Sequence, residues 1–320
     1  MARTLRHWKG TTGMDRLVVN QLNIAGRELS LGRPGQTYYV DAYDGNDSYN
    51  GKTWDRPFLT MERAFETLSS GDTISVVGKI REQLITPVQV FDVTIIGGGN
   101  RPRHADAEPD PTGRHTTATW APPDSPTAAT PLVKVLQQGW RFQNLVFVGP
   151  TDAASVLLFR DGGSGNAERD ASHAEFIGCR FASGATAIEQ SGGAGHMGLY
   201  NCFITSMTAA ALKHTGGAGI GYPIRMEAIG NRFASCPTIM TAVAAFDYSF
   251  QDNTFMFESA PTLVFDFTGG ARNNMGGRQP NSYNIAAEDF DPLGGVTGSG
   301  ATDVWRSILT NAEEIGLPAN

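Results

Sequence analysis

Residues 177–186 read IGCRFASGAT and residues 229–238 read IGNRFASCPT, with seven of ten positions identical at a distance of 52 residues (229 − 177). Self-similarity at a fixed distance is the mark of a repeat architecture, so it is followed along the chain before any single motif is read. An anchor on an apolar residue at the head of each copy finds more of them. They are FQNLVF from Phe142, FIGCRF from Phe176, LYNCFI from Leu199, AIGNRF from Ala228, FQDNTF from Phe250 and a decayed ARNNM from Ala271. The spacings are 34, 23, 29, 22 and 21, and the two long ones hold the insertions GGSGNAERDAS and GGAGIGYPI. The unit is therefore 22–23 residues long, and the opening pair lies two units apart.

Most units carry a second short apolar run ending in paired glycines: VLLFRDGG at 156–163, AIEQSGG at 187–193, ALKHTGG at 211–217 and LVFDFTGG at 263–270. Strand, turn, strand and turn at this period describe one rung of a β-solenoid, whose short strands bury a face only when rungs stack. This alignment places Leu158, Ile188, Leu212 and Phe265 in one inward column. It places Cys179, Cys202, Asn231, Asn253 and Asn274 in another, where stacked amides would hydrogen-bond along a turn. A leucine-rich repeat of similar period needs a leucine framework that is missing here, and an ordinary sandwich does not explain the recurring Asn/Cys and Gly-Gly positions.

The F-x-N-C-x-F and G-N-x-F wording resembles the pectate-lyase-like right-handed parallel β-helix proteins. The segment YYVDAYDGNDSYNG at 38–51, followed after Lys52 by TWDRPFLTMERAFETLSSGDTISVV, is similar to the module that opens their solenoid. The resemblance covers residues of about 37–276 and implies a first strand, a capping helix and stacked rungs. Pro57 then stands before the helix, Phe58, Met61, Ala64, Phe65 and Leu68 have helical spacing, and Gly71 ends it. The expected class is all-β: a right-handed parallel β-helix with an N-terminal capping helix, an extended N-terminal arm and a short C-terminal helix. The expected divisions are an assembly arm over 1–35, the solenoid over 36–276 and a tail over 277–320. In the tail, Thr302 or Asp303 caps a helix with Val304, Trp305, Ile308, Leu309, Ala312 and Ile315 on one face. In the arm, LVVNQLNIAGRELSLG is at most one short hairpin. Residues 100–130, rich in Pro and polar residues, read as one long excursion from an early rung.

Composition bounds the partners. A net charge of −7 argues against nucleic acid or anionic membrane as a partner. No apolar run reaches the ~20 residues that cross a bilayer, and the N-terminus has no signal-peptide core. The cytoplasm is therefore the expected site of synthesis. Three cysteines do not suggest a disulfide framework.

Candidate chemistry is sparse. Asp44, Asn46, Asp47 and Asn50 cluster oxygen ligands as a Ca²⁺ loop would, although Asx-rich turns form without metal. No cofactor is implied. The outward column Phe159, Glu189, Lys213 and Asp266 offers two carboxylates three rungs apart, about 14 Å at the usual strand spacing and too far for glycoside hydrolysis. Asp247 approaches Glu189 only if its turn bends back. With Lys213 as the one base, Glu189, Asp247 and Asp266 complete the set of enzymatic candidates. His214 aligns with Arg160, Gln190 and Phe267 and carries no sign of a base. The segment GNAERDASHAE at 165–175 holds the densest titratable group, Glu168, Asp170, His173 and Glu175, which a solvated loop explains equally well.

The whole resembles a bacteriophage virion protein on a β-helix. That implies a homotrimeric spike, fibre or capsid decoration, assembled in the host cytoplasm, attached to other virion proteins by its arm and contacting host surface polysaccharide. Ala209–Ala211 and Ala242–Ala245, if outward, would allow close packing of three solenoids. The alternative is a polysaccharide-degrading lyase or glycoside hydrolase on the same fold. The discriminating feature is a groove with two carboxylates within ~10 Å, flanked by exposed aromatics.

Overall fold

The computed structural model describes residues 21–24, 27–30, 35–98, 118–127, 129–150, 155–160, 171–192, 194–216, 224–243, 246–257, 265–266, 273–274 and 282–283. The chain divides into two compact units, Met1–Pro34 and Gly35–Asn320. In the first, Gln21–Ile24 and Arg27–Ser30 pair antiparallel as the short hairpin the sequence allows. The second unit is a parallel β-helix with three sheets. Its hand is the right-handed one that twisted strands impose on parallel crossovers.

The turn between sheets 1 and 2 shows why the sequence repeats. Sheet 1 includes Arg141–Gln143, Glu175–Ile177, Met197–Tyr200, Ile224–Ile229 and Phe246–Gln251, and sheet 2 includes Val146–Val148, Arg180–Ala182, Phe203–Thr205, Arg232–Ala234 and Thr254–Met256. Each rung passes from one to the other through a residue with positive φ: Asn144, Gly178, Asn201, Gly230 and Asp252, at 52–68°. L-residues resist this region, and Gly, Asn and Asp tolerate it best. The next residue points inward, giving the column Leu145, Cys179, Cys202, Asn231 and Asn253, all buried. Asn231 Nδ2 donates to Leu199 O (2.9 Å) and to Asn253 Oδ1 (3.0 Å), while Asn253 Nδ2 donates to Ala228 O (2.9 Å). The Cys202 thiol reaches Phe176 O at 3.6 Å and the Cys179 thiol reaches Phe142 O at 3.4 Å. Cysteine and asparagine thus replace one another in this column because each donates to the preceding rung's strand. Burial pushes the Cys202 thiol well up from its ordinary range.

The anchors Phe142, Phe176, Leu199, Ala228 and Phe250 pair in one parallel register. Phe142 and Phe176 stack at 5.1 Å, as Phe147 and Phe181 do at 5.0 Å in sheet 2. Each such pair adds about 0.5–1.5 kcal/mol to the ~1.5–3 kcal/mol from burying each ring.

Three sequence expectations are corrected by the register. In sheet 3, Leu157 pairs with Ile188, which pairs with Leu212, so Leu157 and not Leu158 belongs to the inward column that runs on to Met240 and Phe265. Leu158 pairs with Glu189, and Phe159 pairs with Gln190. Asn274 pairs with Ser249 inside a sheet 1 strand and so leaves the turn column that ends, among the described residues, at Asn253. Of the alanines expected outward, Ala210, Ala211 and Ala242 are buried within this chain, Ala209 is exposed, and Ala244 and Ala245 lie outside the described residues.

The entrance follows the expected plan, shifted by a few residues. The helix spans Met61–Thr67, with Thr60 as N-cap accepting from the Arg63 amide. Phe58 precedes it and pairs with Val40. Met61, Ala64 and Phe65 enter the core, where Phe65 meets Trp140 and Trp120 at 5.5 and 6.2 Å. Trp120 lies within the segment expected to be an excursion. Thr119–Ala121 is instead a strand of sheet 2, and the Trp120 indole donates to Glu82 O at 2.9 Å. At the far end Ser282–Tyr283 pairs with Thr254–Met256, so rungs continue past 276. The expected C-terminal helix lies outside the described residues.

Candidate functional site

Of the residues proposed from sequence on sheet 3, Glu189 and Lys213 are already engaged. Lys213 Nζ lies 3.1 Å from Glu189 Oε1, and the Ser155 hydroxyl donates to the other Glu189 oxygen. Thr241 follows Lys213 in register and Asp266 follows Thr241, which keeps Glu189 and Asp266 three rungs apart. Asp247 lies on a different sheet, in the sheet 1 strand Phe246–Gln251. The four do not come together.

The Ca²⁺ candidates are occupied by their own loop. Asp47 accepts from the amides of Leu59 and Thr60 and from the Thr60 hydroxyl. Asn46 accepts from the amide and hydroxyl of Ser48, and Asn50 from the Lys52 amide. Asp44 donates its amide to Asp41. These are Asx turns that tie the loop to the start of the helix. Among the described residues no group of three or more His, Cys, Asp or Glu is placed to hold a metal.

The outer face of sheet 1 holds a shallow cavity of about 160 Å³ lined by His173, Glu175, His196, Met197, Gly198, Tyr200, Arg225 and Glu227. Register builds it. Glu175 pairs with Gly198, and Gly198 with Glu227, so two carboxylates share one outward column with a glycine between them. Two rungs at the usual strand spacing separate them by roughly 9.6 Å along the backbone. Ile177, Tyr200 and Ile229 form the next outward column. The Tyr200 ring folds back over Gly198, where a Cβ would stand 2.5 Å from Cε2, and its hydroxyl donates to Glu227 at 2.8 Å. Any side chain at 198 would evict the ring.

Electrostatics distinguishes the two carboxylates. Arg141 Nε donates to Glu175 Oε2 at 2.5 Å across the adjoining rung. The Tyr200 phenol is pushed up to about 12, first by burial and then by its hydrogen bond to Glu227 and the charges of Glu227 and Glu175, with Arg225 pulling the other way. It is therefore a neutral hydroxyl at ordinary pH.

A third column edges the cavity where the chain enters sheet 1. His173, His196 and Arg225 occupy equivalent turn positions with φ of 59°, 54° and 59°, a place held by Gly139 (77°) one rung earlier. The imidazoles stack at 4.7 Å with planes 7° apart. Left-handed backbone costs a bulky residue on the order of 1–2 kcal/mol. Three exposed basic or titratable side chains are thus held in successive rungs where glycine would sit without strain.

Sequence reasoning named His173 and Glu175 as part of a loop but missed Gly198, Tyr200, Arg225 and Glu227. The signal was present: HAEFIGCRF at 173–181 and RMEAIGNRF at 225–233 extend the opening repeat backward through both glutamates, which are themselves 52 residues apart (227 − 175).

No protein-family model matches this sequence, and no curated protein matches it. Among solved structures, the GH136 lacto-N-biosidase from Eubacterium ramulus is similar with a TM-score of 0.48 and 8% identity, over 77% of this chain and 53% of that one. The chain thus spans about half the length of that protein. A structure described as a rhamnogalacturonan lyase is similar with a TM-score of 0.37 and 13% identity, over 79% of this chain and 69% of that one.

Proposed function

We propose that this chain is a carbohydrate-active β-helix protein that binds a polysaccharide across sheet 1 and hydrolyses a glycosidic bond with inversion. The observation that carries the reading is the Glu175–Gly198–Glu227 column. Inverting glycosidases hold their carboxyl groups about 6.5–9.5 Å apart to admit a water, and retaining ones about 5–5.5 Å. Two rungs, at roughly 9.6 Å of backbone, stand at the upper edge of the inverting range and well beyond the retaining one.

Roles follow from the partners. Glu227 is the general acid: a phenol donates to a carboxylate and accepts from a carboxylic acid, so Tyr200 serves it in both states. Glu175, ion-paired with Arg141, is the general base. Glu227 gives its proton to the glycosidic oxygen as the C–O bond breaks, and Glu175 takes a proton from the water that attacks the anomeric carbon from the opposite face. Exchange with solvent then restores both. Gly198 makes room between them for the Tyr200 ring, whose hydroxyl reaches Glu227. The test is a panel of polysaccharides followed by NMR of the first-formed anomer. Release of reducing ends with inverted configuration, lost in Glu175→Gln and Glu227→Gln, is the expected result. A glycan that is bound but never cleaved, or cleavage that survives both substitutions, would reject the assignment.

A second reading keeps the chain as a homotrimeric virion component anchored by its N-terminal arm. It draws on the separate unit Met1–Pro34 with its hairpin. Light scattering that shows a trimer, together with failure of a chain lacking 1–35 to join the particle, would favour it. A monomer would remove it.

A further inference from the structure

One edge of the sheet 1 cavity takes no part in the chemistry assigned to Glu175 and Glu227. His173, His196 and Arg225 stand in successive rungs where the chain enters sheet 1, and all three are exposed and line the cavity. The imidazoles stack on each other at 4.7 Å. Among the described residues, neither imidazole ring forms a hydrogen bond or ion pair, and nor does the Arg225 guanidinium, which acts on Tyr200 through its charge. An arginine kept for charge balance would pair with Glu227, two residues along the same strand, yet Glu227 accepts from the Tyr200 hydroxyl. Glu175 is served by Arg141. The turn itself does not call for these residues either. Gly139 fills the equivalent place one rung earlier at φ 77°, and the left-handed backbone of His173, His196 and Arg225 strains each of them where glycine would sit at ease.

Arginine presents a planar fork of N–H donors that stays charged, and imidazole presents at least one N–H in either protonation state. Successive rungs space these donors at about 4.8 Å along one edge. Two residues of strand, roughly 6.6 Å, separate that edge from the carboxylate column, a gap that one sugar ring bridges. We infer that the His173–His196–Arg225 edge is the subsite for an acidic substituent of the glycan, a carboxylate or sulfate ester on the sugar held between Glu175 and Glu227, which makes the substrate class an acidic polysaccharide. The inference rests on the reading that a glycan lies in this groove. Charge complementarity selects the occupant. Glu175 and Glu227 by themselves repel an anion, Glu175 less so for its ion pair with Arg141, and the donor edge offsets that repulsion. The net charge of −7 on the whole chain is screened beyond about 8 Å at physiological ionic strength, so the groups within the cavity decide whether an acidic ring is admitted.

Affinity electrophoresis of the full chain tests this in gels containing polygalacturonate or dextran sulfate, each run beside its neutral counterpart, carboxyl-reduced polygalacturonate and plain dextran. The cleavage-blocked variant Glu175→Gln/Glu227→Gln runs in parallel, so that retardation reports binding and not degradation. Retardation by at least one acidic polymer and by neither neutral one is expected, and the two acidic polymers separate carboxylate from sulfate as the group taken. Arg225→Gln should lose about tenfold or more in affinity, the usual weight of a charged hydrogen bond, and Arg225→Lys, which keeps the charge without the fork, should lose less. His173→Gly/His196→Gly should weaken binding yet unfold at the parent temperature or above it, because glycine relieves the left-handed backbone. No retardation by either acidic polymer, equal retardation by the neutral ones, undiminished binding in both the arginine and the histidine variants, or a lowered unfolding temperature in the glycine variant would overturn the inference. The two assignments fail separately. Arg225-dependent binding of an acidic polymer with no cleavage strikes out hydrolysis and leaves the subsite, whereas glutamate-dependent cleavage of neutral glycans alone strikes out the subsite and leaves hydrolysis.

Discussion

Two outward columns of this solenoid carry carboxylates, and they differ in what fills the rung beside them. On sheet 3, Glu189 has Lys213 directly above it at 3.1 Å, with the Ser155 hydroxyl on its other oxygen. On sheet 1, Glu175 and Glu227 have Gly198 between them, and a tyrosine folded over that glycine. The first arrangement is a charge ladder that neutralises itself. The second leaves a gap above the glycine that the Tyr200 ring fills, with an acidic group on either side. In a stacked lattice a carboxylate is structural or chemical according to its neighbour one rung away.

The largest effect expected to separate the two columns is on activity. Glu227→Gln or Glu175→Gln should lower cleavage by about 10²–10⁴-fold, the usual scale of general acid–base catalysis, while Glu189→Gln leaves it unchanged. Initial rates on the cleaved glycan measure both, and equal losses on the two sheets would break the comparison.

Next comes the core beneath the quiet column. His214, on the inner side of Lys213, is fully buried, with Nδ1 3.2 Å from the Tyr248 hydroxyl of sheet 1. Burial lowers its pKa from 6.5 to about 3. The unfolded chain takes up the proton near 6.5 and the folded chain does not, so this contribution to stability is complete above that pH. It is lost as pH falls toward 3, at about 1.4 kcal/mol per unit. Urea unfolding at a series of pH values should show that slope, flattened in His214→Gln; an unchanged slope would assign the acid loss to other groups.

Filling the gap is a smaller change. Gly198→Ala puts a methyl 2.5 Å from the Tyr200 ring. The displaced hydroxyl should cost about tenfold in kcat/KM, roughly 1.4 kcal/mol, with little change in unfolding. Smallest of all is Lys213→Met, which removes a partly exposed ion pair and should change stability by about 0–1 kcal/mol in the same denaturation assay. A larger loss would mean that the ladder on sheet 3 organises more than itself.

Legibility followed the strength of local constraint. The turn into sheet 2 demands a left-handed residue and then a buried donor, so Asn, Gly or Asp followed by Cys or Asn recurs and the anchors from Phe142 to Phe250 could be aligned by eye. Sheet 3 has no such pin. Val156, Leu157, Leu158 and Phe159 are apolar without alternation, and aligning on the paired glycines misplaced the strand by one residue. A slip of one turns every side chain to the other face. Asn274 was misplaced for a related reason: its copy had lost the aromatic anchor, and nothing held the count. The groove was missed because its residues come from separate rungs. Only carrying the repeat two positions further back would have set Glu175 over Glu227 with Gly198 between.

The rung lattice has a stereochemical corollary. Backbone positions in one column are separated by whole multiples of the strand spacing, about 4.8 Å for neighbours and twice that across one intervening coil. The first value lies near the retaining geometry and the second near the inverting one. Excising or duplicating a single coil between the two glutamates would therefore switch the anomeric outcome, or abolish it, in integer steps with no graded intermediate.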